Sequence, residues 1–347
     1  MARFFTLIAV ALVLALPAVT VAQETGKNTG RISGLMYGEY FYNIKSADSL
    51  KDVNGFQFRR IYFTYDQQIA DQFDIRVRFE ANEITLTAAS RFSVFVKDAY
   101  LRWNNIFEGS NALFGISPTP GIEMAEKWWA YRSLERSLMD LNRLVSSRDF
   151  GVDLRGRLDS DGRYNYWVKF GNSGGSETET DKYKRFYASF WFKPLTNLDV
   201  LVYGQYTTRP KKPDAVDNLA KNNNTALFDA MVHYQQGSTY SLGVEGFFQT
   251  AANNYRLNAG EPYVDQKSVG ISAYGWIAIV EKIRFVGRYD YVNMNTDATG
   301  AKSDLVIAGV DFAALKNLHV MPNLYYRSFR GSSPDLMLAR VTLHYDF

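Results

Sequence analysis

The sequence predicts an all-β protein: a transmembrane antiparallel β-barrel of about 16 strands, with one inward-folding constriction loop that contains a short helix. Two observations lead to this class. Segments of about ten to fourteen residues alternate between apolar and polar side chains and are separated by turn-like clusters. The chain also carries 24 Phe, 23 Tyr and 6 Trp, an aromatic load that a secreted soluble domain would have difficulty burying.

The first residues have the pattern of a secretory signal. One arginine precedes an apolar run that ends at Leu16, and the small residues Thr20 and Ala22 stand where a signal peptidase would recognise them. This pattern predicts a signal peptide over residues 1–22 and leaves 23–347 as the barrel. An uncleaved membrane anchor is the alternative, but the apolar run is shorter than the roughly 20 residues that span a bilayer as a helix.

Composition excludes several classes of chemistry. The chain has no cysteine, so it has no disulfides and no thiolate metal ligands, and no histidine or carboxylate cluster has ligand spacing. We therefore expect no metal site and no cofactor. A formal net charge of +3 argues against a nucleic-acid partner that is bound through bulk charge. Only His233, His319 and His344 could act as imidazole bases, and none lies in a recognisable hydrolase motif, so we do not expect an enzyme.

The strands are placed by their alternation. The clearest is FDIRVRFEAN, from Phe73 to Asn82, in which apolar residues alternate with charged or polar ones. In chain order the segments lie near 31–45, 55–68, 73–86, 94–105, 111–117, 146–158, 163–173, 183–193, 197–208, 225–236, 239–250, 266–278, 282–293, 301–312, 317–329 and 335–347. Because charges recur on one face of most segments, we expect that face to meet water in a wide lumen and the other to meet outer-membrane lipid.

The connections predict an orientation. Short connections such as IADQ, DSDG and AALKN alternate with long ones such as RPKKPDAVDNLAKNNN. In barrels of the bacterial outer membrane the short turns are periplasmic and the long loops are outside. We therefore predict the outer membrane of a Gram-negative-type bacterium as the location, with both termini periplasmic. The final run ARVTLHYDF would then be the closing strand, with Phe347 in an aromatic girdle at the membrane interface.

The longest connection differs from all the others because its period is helical. It reads PTPGIEMAEKWWAYRSLERSLMDLNRLVS, and its core, 118–145, is the predicted constriction loop. At about 100° per residue, three arginines fall on one side and four aliphatic residues on the other: Arg132, Arg136 and Arg143 against Leu134, Leu138, Leu141 and Val145. We expect the aliphatic stripe to pack against the wall or the loop, and the arginine stripe to narrow the pore.

Three environments are open for the arginine stripe. It can pair with wall carboxylates such as Asp98, Asp153, Asp229 or Asp311. It can be neutralised by carboxylates of its own segment, namely Glu123, Glu126, Glu135 and Asp140. It can also bind a passing anion, for which guanidinium is suited by its fixed charge and bidentate geometry.

The candidate site residues follow from this arrangement. The expected constriction residues are Lys127, Trp128, Trp129, Arg132, Arg136 and Arg143. The expected lumen-wall residues are Arg76, Arg78, Asp98, Arg102, Asp153, Arg155, Arg157, Arg185, Arg284, Arg288 and Arg340. The two tryptophans either guide sugars along the pore or pack the root of the loop.

Four stretches of the chain resemble a known family. GFQFRRIYFTYDQQIADQFDIRVRFEAN, KDAYLRW, LFGISPTPGIE and LERSLMDLNRLVSSRDFGVDLRGRL are similar to the phosphate-selective porin O and P family of sixteen-stranded outer-membrane channels. The similarity is densest from about residue 55 to residue 174. The most specific matches are the family signature positions Glu135, Arg136, Ser147, Arg148, Asp149 and Gly151. Family members often carry lysines after the position of Gly115, where Ile116 and Ser117 stand here.

The resemblance and the basic residues together predict a function. We expect a passive channel for small hydrophilic solutes with a mild preference for anions, phosphate among them, and the resemblance implies a homotrimer. Two alternatives remain open. One is a general or sugar-guiding porin without anion selectivity. The other is a non-conducting receptor or structural barrel whose loops bind a partner.

Overall fold

Sixteen antiparallel strands close into a single barrel in the computed structural model, which describes residues 30–82 and 92–347. The predicted fold class is confirmed, including the short helix in the loop after the fifth strand. No helix within the described ranges is long and apolar enough to cross a membrane. The predicted signal peptide, 1–22, lies outside the described residues.

The barrel strands follow one another in chain order around the wall. They are β1 (Arg31–Lys45), β2 (Asn54–Ala70), β3 (Phe73–Asn82), β4 (Phe95–Phe107), β5 (Ser110–Pro118), β6 (Arg148–Arg157), β7 (Tyr164–Gly171), β8 (Arg185–Leu195), β9 (Leu198–Thr207), β12 (Thr225–Gln236), β13 (Tyr240–Tyr255), β14 (Val264–Val280), β15 (Ile283–Asn293), β16 (Lys302–Leu315), β17 (Leu318–Phe329) and β18 (Leu336–Asp346). Two short strands that the alternation did not predict, β10 (Lys212–Asp214) and β11 (Leu219–Lys221), form a separate hairpin in the loop after β9.

The last strand closes the barrel on the first. β18 pairs antiparallel with β1, with Leu35 opposite Asp346. Beyond that pair, the Gly34 N–H donates to the Phe347 carbonyl oxygen at 2.8 Å and the Phe347 N–H donates to the Gly34 carbonyl oxygen at 3.0 Å. Among the residues that the structure describes, closure leaves no unpaired strand edge in the wall, which is a requirement for a sheet that stands in lipid.

The outward face of the wall is apolar. Phe114, Val152, Phe170, Phe228 and Phe285 are among many large apolar side chains that are exposed on the strands. The residues between them point inward and are buried. The period-2 alternation of the sequence is therefore inverted relative to a soluble sandwich, with its apolar side chains outside.

The interior contains a dry core as well as a lumen, which differs from the expected water-filled interior. α1 (Pro120–Trp129) and α2 (Leu138–Leu141) lie inside the barrel, and α1 contacts β7, β8, β12 and β13. Leu134, Leu138 and Val145 from the predicted aliphatic stripe are buried there against inward-facing apolar side chains of the wall. The inner wall of β9 and of β12 to β17 accordingly carries many apolar side chains at this level, because it faces the loop rather than water.

The loop is not one continuous helix through its arginine stripe. α1 ends at Trp129, Ala130 adopts a left-handed backbone with φ 62°, and α2 is a single turn. Arg143 also has a left-handed φ of 55°. Arg132, Arg136 and Arg143 are therefore presented by separate turns, while the burial of the aliphatic residues agrees with the helical period.

Candidate functional site

The loop is fixed at its root by its own backbone. Pro120 occupies the first turn of α1, where its missing N–H costs no hydrogen bond. Just before it, the Thr119 hydroxyl donates to the carbonyl oxygen of Ser146 at 2.7 Å, and the Thr119 N–H donates to that of Ser147. The start and the end of the loop are thereby tied together where it leaves the wall.

Both tryptophans of the loop are buried against the wall. The Trp129 indole N–H donates to the Glu135 carbonyl oxygen at 2.8 Å, and its ring meets the Tyr274 ring edge-on with centroids 5.6 Å apart. Trp128 stacks on the His233 ring with centroids 5.4 Å apart. With 4% and 1% of their surfaces exposed, Trp128 and Trp129 pack the loop and do not line an open passage.

Glu135 is the electrostatic anchor of the loop. Arg59 on β2 lies 3.3 Å from its carboxylate and also donates to the Leu134 carbonyl oxygen at 2.6 Å. Burial raises the pKa of Glu135, but Arg59 and Arg340 outweigh burial and lower that pKa to about 2. The ionised carboxylate therefore holds the middle of the loop against β2 and β18.

Further contacts attach the loop to the opposite strands. The Tyr131 hydroxyl donates to Asp311 on β16 at 3.0 Å. Arg288 on β15 donates to the Arg136 carbonyl oxygen. Arg327 on β17 donates to Asn142 at 3.0 Å. The loop thus crosses the lumen from β2 to β17.

A cationic cleft of about 110 Å³ remains between the loop and strands β2 to β4. Its lining residues are Arg59, Arg60, Glu80, Asn82, Lys97, Arg132, Arg136, Asp140 and Ser147. Five of them are cationic and two are carboxylates, which gives a formal charge of +3. Glu80 is already engaged by Arg60 at 2.9 Å and by Lys97 at 2.8 Å. We call this space the cationic cleft.

Arg132 faces the cleft but is partly neutralised by its own segment. It lies 2.8 Å from Glu126 and 3.5 Å from Asp140. Burial raises the pKa of Glu126, yet Arg132 and Arg60 outweigh burial and lower it. Burial raises the pKa of Asp140, where Arg132 opposes the rise and Glu126 adds to it. Of the three environments expected for the arginine stripe, neutralisation within the loop is therefore the one that the structure shows for Arg132.

The other expected constriction residues divide between the cleft and the rest of the loop. Arg136 lines the cleft beside Arg132. Arg143 is exposed beyond α2, and the ammonium group of Lys127 lies over the Trp191 ring, 5.4 Å from its centroid. Two of the six expected residues thus share the cleft, which is completed by wall residues.

The expected wall arginines are mostly paired. On the β2 to β4 side the pairs are Arg76 with Asp66 at 2.6 Å, Arg78 with Asp98 at 3.1 Å and Arg102 with Asp74 at 2.6 Å. On β15, β18 and β8 the contacts are Arg288 with Asp290, Arg340 with Asn323 and Arg185 with Thr207. Arg284 lies over the Trp276 ring, and Arg155 lies over the Trp167 ring and 3.7 Å from Glu123. Arg157 is exposed at the end of β6, beside the turn to β7.

The signature positions that carry the resemblance hold the end of the loop in place. The Ser147 hydroxyl accepts from Lys97 at 3.0 Å, and Arg148 donates to the buried Asp98. Asp149 accepts from the Tyr187 hydroxyl at 2.8 Å and from backbone N–H groups of the connection after β7. A Cβ on Gly151 would lie 2.1 Å from a backbone oxygen of β7.

The wall half of the cleft comes from residues that the sequence reasoning did not select: Arg59, Arg60, Glu80 and Lys97. The register between β1 and β2 shifts between Tyr37 and Gly38, because Tyr37 is opposite Arg60 and Gly38 is opposite Phe58. Arg59 is thus the extra residue of a β-bulge, which lets two adjacent arginines both reach the lumen. The available signal was this Arg-Arg pair, which breaks the alternation of its strand.

A second polar cluster lies beneath α1. His233 Nε2 is 2.8 Å from the Ser241 hydroxyl oxygen, and His233 Nδ1 is 3.7 Å from Asp199. Asp199 also accepts from the Trp191 indole N–H at 3.0 Å. Ser241 and His233 are both buried and Trp128 covers the imidazole, so the cluster has the residue types of a hydrolytic triad without an exposed nucleophile.

The architecture defines a class: a sixteen-stranded barrel with an internal loop that leaves a charged cleft. No protein-family model matches the chain, and no curated protein matches it by sequence. Among solved structures, the chain is similar to the outer membrane channel DcaP of Acinetobacter baumannii, with a TM-score of 0.69 and 12% identity over 93% of this chain and 99% of that one.

Two further solved structures show the same architecture. An anion-selective porin from Comamonas acidovorans has a TM-score of 0.68 and 10% identity over 92% of this chain and 100% of that one. A trimer form of OmpT, an outer membrane protein of Vibrio cholerae, has a TM-score of 0.60 and 13% identity over 93% of this chain and 100% of that one. At these identities the comparisons establish the fold. Membership in the phosphate-selective porin O and P family stays a prediction.

Proposed function

We propose that the protein is an outer-membrane porin, a passive diffusion channel for small hydrophilic solutes with a mild preference for anions. The observation that carries the proposal is the cationic cleft, because the loop fills much of the lumen and leaves this charged space beside β2 to β4. Solved barrels of the same architecture are described as outer-membrane channels and as an anion-selective porin.

The charges of the cleft can set ion preference in two ways. A net positive lining raises the local concentration of anions and opposes the entry of cations. Arg132 and Arg136 also present guanidinium groups, which bind carboxylate or phosphate oxygens in a bidentate manner. Phosphate is therefore one of the solutes that we propose for the channel, together with other small anions.

The preference is mild because most of the charge is already paired. Arg132 is neutralised in part by Glu126 and Asp140, and most of the wall arginines contact carboxylates, amides or aromatic rings. An anion in the cleft must therefore compete with carboxylates that are fixed in place. A sugar-guiding role draws less support, since both tryptophans of the loop are buried.

The assembly and location belong to the same proposal. We propose a homotrimer in the outer membrane, with lipid against the apolar outer face, both termini in the periplasm and residues 1–22 removed as a signal peptide. The trimeric form of a structural neighbour and the alternation of short turns with long loops support this arrangement.

Reversal potentials test the proposal. Purified protein in planar bilayers under a KCl gradient should show open channels whose reversal potential indicates anion preference, and added phosphate should reduce the KCl current. Arg132→Ala/Arg136→Ala should weaken both effects. Arg163→Ala is the matched control, because Arg163 is exposed in the turn after β6 and lies outside the cleft.

Each result separates the alternatives. Channels that conduct without anion preference in the parent protein would identify a general porin. The absence of conductance, together with saturable binding of a partner to the loops, would identify a receptor barrel. Cation preference in the parent would contradict the role assigned to the cationic cleft.

One observation favours a second candidate, a hydrolase. Ser241, His233 and Asp199 have the residue types and order of contacts that activate a serine nucleophile. Burial under Trp128 argues that they anchor α1 instead. Ester hydrolysis by the purified barrel that is lost in both Ser241→Ala and His233→Ala would establish the enzyme.

A further inference from the structure

Two carboxylates are buried beneath the loop on the side of the lumen away from the cationic cleft. Asp229 on β12 has none of its surface exposed and Glu245 on β13 has 1% exposed. β12 is separated from β3 by β9, β8, β7, β6, β5 and β4 around the wall. Asp229 is opposite Phe247 and Glu245 is opposite Met231, which makes the two carboxylates diagonal neighbours on the inner face.

The pair has no cation of its own among the described residues. Within residues 30–82 and 92–347, neither carboxylate oxygen of Asp229 has a hydrogen-bond partner, nor does Oε1 of Glu245. Arg288 on β15 is the cation that faces Glu245, but it donates to Asp290 at 2.8 and 2.6 Å. His233, four residues along β12, is engaged with Ser241.

The remaining neighbours are phenols and the backbone of the loop. Tyr203 on β9 and Tyr274 on β14 face the pair, and the Tyr274 hydroxyl has no hydrogen-bond partner in the described part of the chain. From the loop, the N–H groups of Leu138 and Met139 in α2 face Glu245. Both loop residues are fully buried. The side of the loop that packs on this wall therefore lies directly against two acids.

Two ionised carboxylates cannot remain together in this environment without a partner. An unpaired buried charge costs several kcal/mol, and a second charge of the same sign adds repulsion. The least costly remedy is a bound proton, which removes one charge and supplies a donor to the shared site. Loss of that proton would place two negative charges under the apolar face of α2 and draw water into the contact.

We propose that Asp229 and Glu245 form a proton-binding site that controls docking of the constriction loop: the loop is docked while the pair holds a proton and loosens from β12 to β14 when alkaline pH removes it. The effect on conduction rests on the proposed porin function, while the docking itself does not. A loosened loop moves toward the cationic cleft, so the open channel closes more often as the pH rises.

The direction separates this site from the histidines. Protonation of an imidazole adds positive charge as the pH falls, whereas the carboxylate pair gains negative charge as the pH rises. A change in loop docking on the alkaline side therefore reports the pair when it is lost in the Asp229→Asn/Glu245→Gln variant. Beside the cationic cleft, Arg132 and Arg60 outweigh burial and lower the pKa of Glu126, so that carboxylate stays ionised in that range.

Thiol accessibility tests the proposal without requiring conduction. The chain has no cysteine, so Met139→Cys introduces a single thiol on the buried face of α2. Its rate of reaction with a small methanethiosulfonate reagent is divided by the rate for Asp161→Cys, on an exposed turn, which corrects for thiol ionisation. From pH 6.5 to 9 this ratio should rise at least tenfold in otherwise native protein. In an Asp229→Asn/Glu245→Gln background, which mimics the neutral pair, it should change less than twofold.

Three outcomes would overturn the proposal. The first is an equal pH response with and without the two amide substitutions. The second is no response in the native background. The third is a response at constant pH to added Na⁺ or Ca²⁺, which would mean that a cation holds the pair. If the double variant does not fold, Glu245→Gln alone should reduce the response. A pH-dependent ratio in a barrel that shows no conductance would support the proton-binding site and contradict the proposed porin function.

Discussion

Replacement of Glu135 by glutamine should loosen the constriction loop while the barrel stays intact. Burial raises the pKa of Glu135, but Arg59 and Arg340 outweigh burial and lower that pKa from 4.5 to about 2. At about 1.4 kcal/mol per pKa unit, the ionised carboxylate contributes about 3 kcal/mol to the docked state. The substitution keeps the shape of the side chain and removes the charge that Arg59 faces.

The effect can be measured with the Met139→Cys thiol at pH 7. A loss of about 3 kcal/mol corresponds to an increase in the open population of about 100-fold, which is the upper limit, because glutamine can still accept a hydrogen bond. We expect the labelling rate to rise between 10-fold and 100-fold. Glu123→Gln is the control, because Glu123 is partly exposed and lies 3.7 Å from Arg155; its effect should be less than twofold. A Glu135→Gln rate within twofold of the parent would refute the assignment of Glu135 as the anchor.

Three other outcomes follow from the structure. Gly151→Ala should abolish folding of the barrel, because the added Cβ would lie 2.1 Å from a backbone oxygen. Gly287→Ala is the control and should fold normally, because its Cβ would meet no described atom within 4 Å. Folding is measured by the shift in gel mobility between heated and unheated samples. Because the pKa of Glu135 is lowered, its contribution to loop docking is complete above pH 4.5 and is lost as the pH falls through about 2. The fluorescence of Trp129, taken as the difference between the parent and Trp129→Phe, should therefore stay constant from pH 7 to 4. A change above pH 4 would contradict this assignment. Leu134→Ala removes a fully buried side chain and should cost about 2–5 kcal/mol of loop docking, seen as faster labelling of the loop thiol.

The strands could be predicted because their signal is local. Each barrel strand alternates in its own residues, and all sixteen predicted segments coincide with observed strands within a few residues, apart from the end of the third, which falls in residues that the structure does not describe. The β10–β11 hairpin was missed because three-residue strands are too short to show a period.

The cleft could be predicted only in part because it depends on contacts between distant segments. Arg132 and Arg136 were selected from the loop itself. Arg59 and Arg60 required knowledge of a bulge against β1, which no local pattern specifies. The loop also departs from its helical period because its backbone carbonyl oxygens accept hydrogen bonds from the wall. Arg59 donates to the Leu134 carbonyl oxygen, and Arg288 donates to that of Arg136.

The pairing of β1 with β18 has a consequence for folding kinetics. Gly34 and Phe347 exchange two backbone hydrogen bonds, although they lie 313 positions apart in the sequence. Hairpins between neighbouring strands can form early because their loops are short, whereas this seam requires the entropic cost of ordering nearly the whole chain first. The β1–β18 seam should therefore be the last strand pair of the wall to form, and the rate of its formation should limit the appearance of the native barrel.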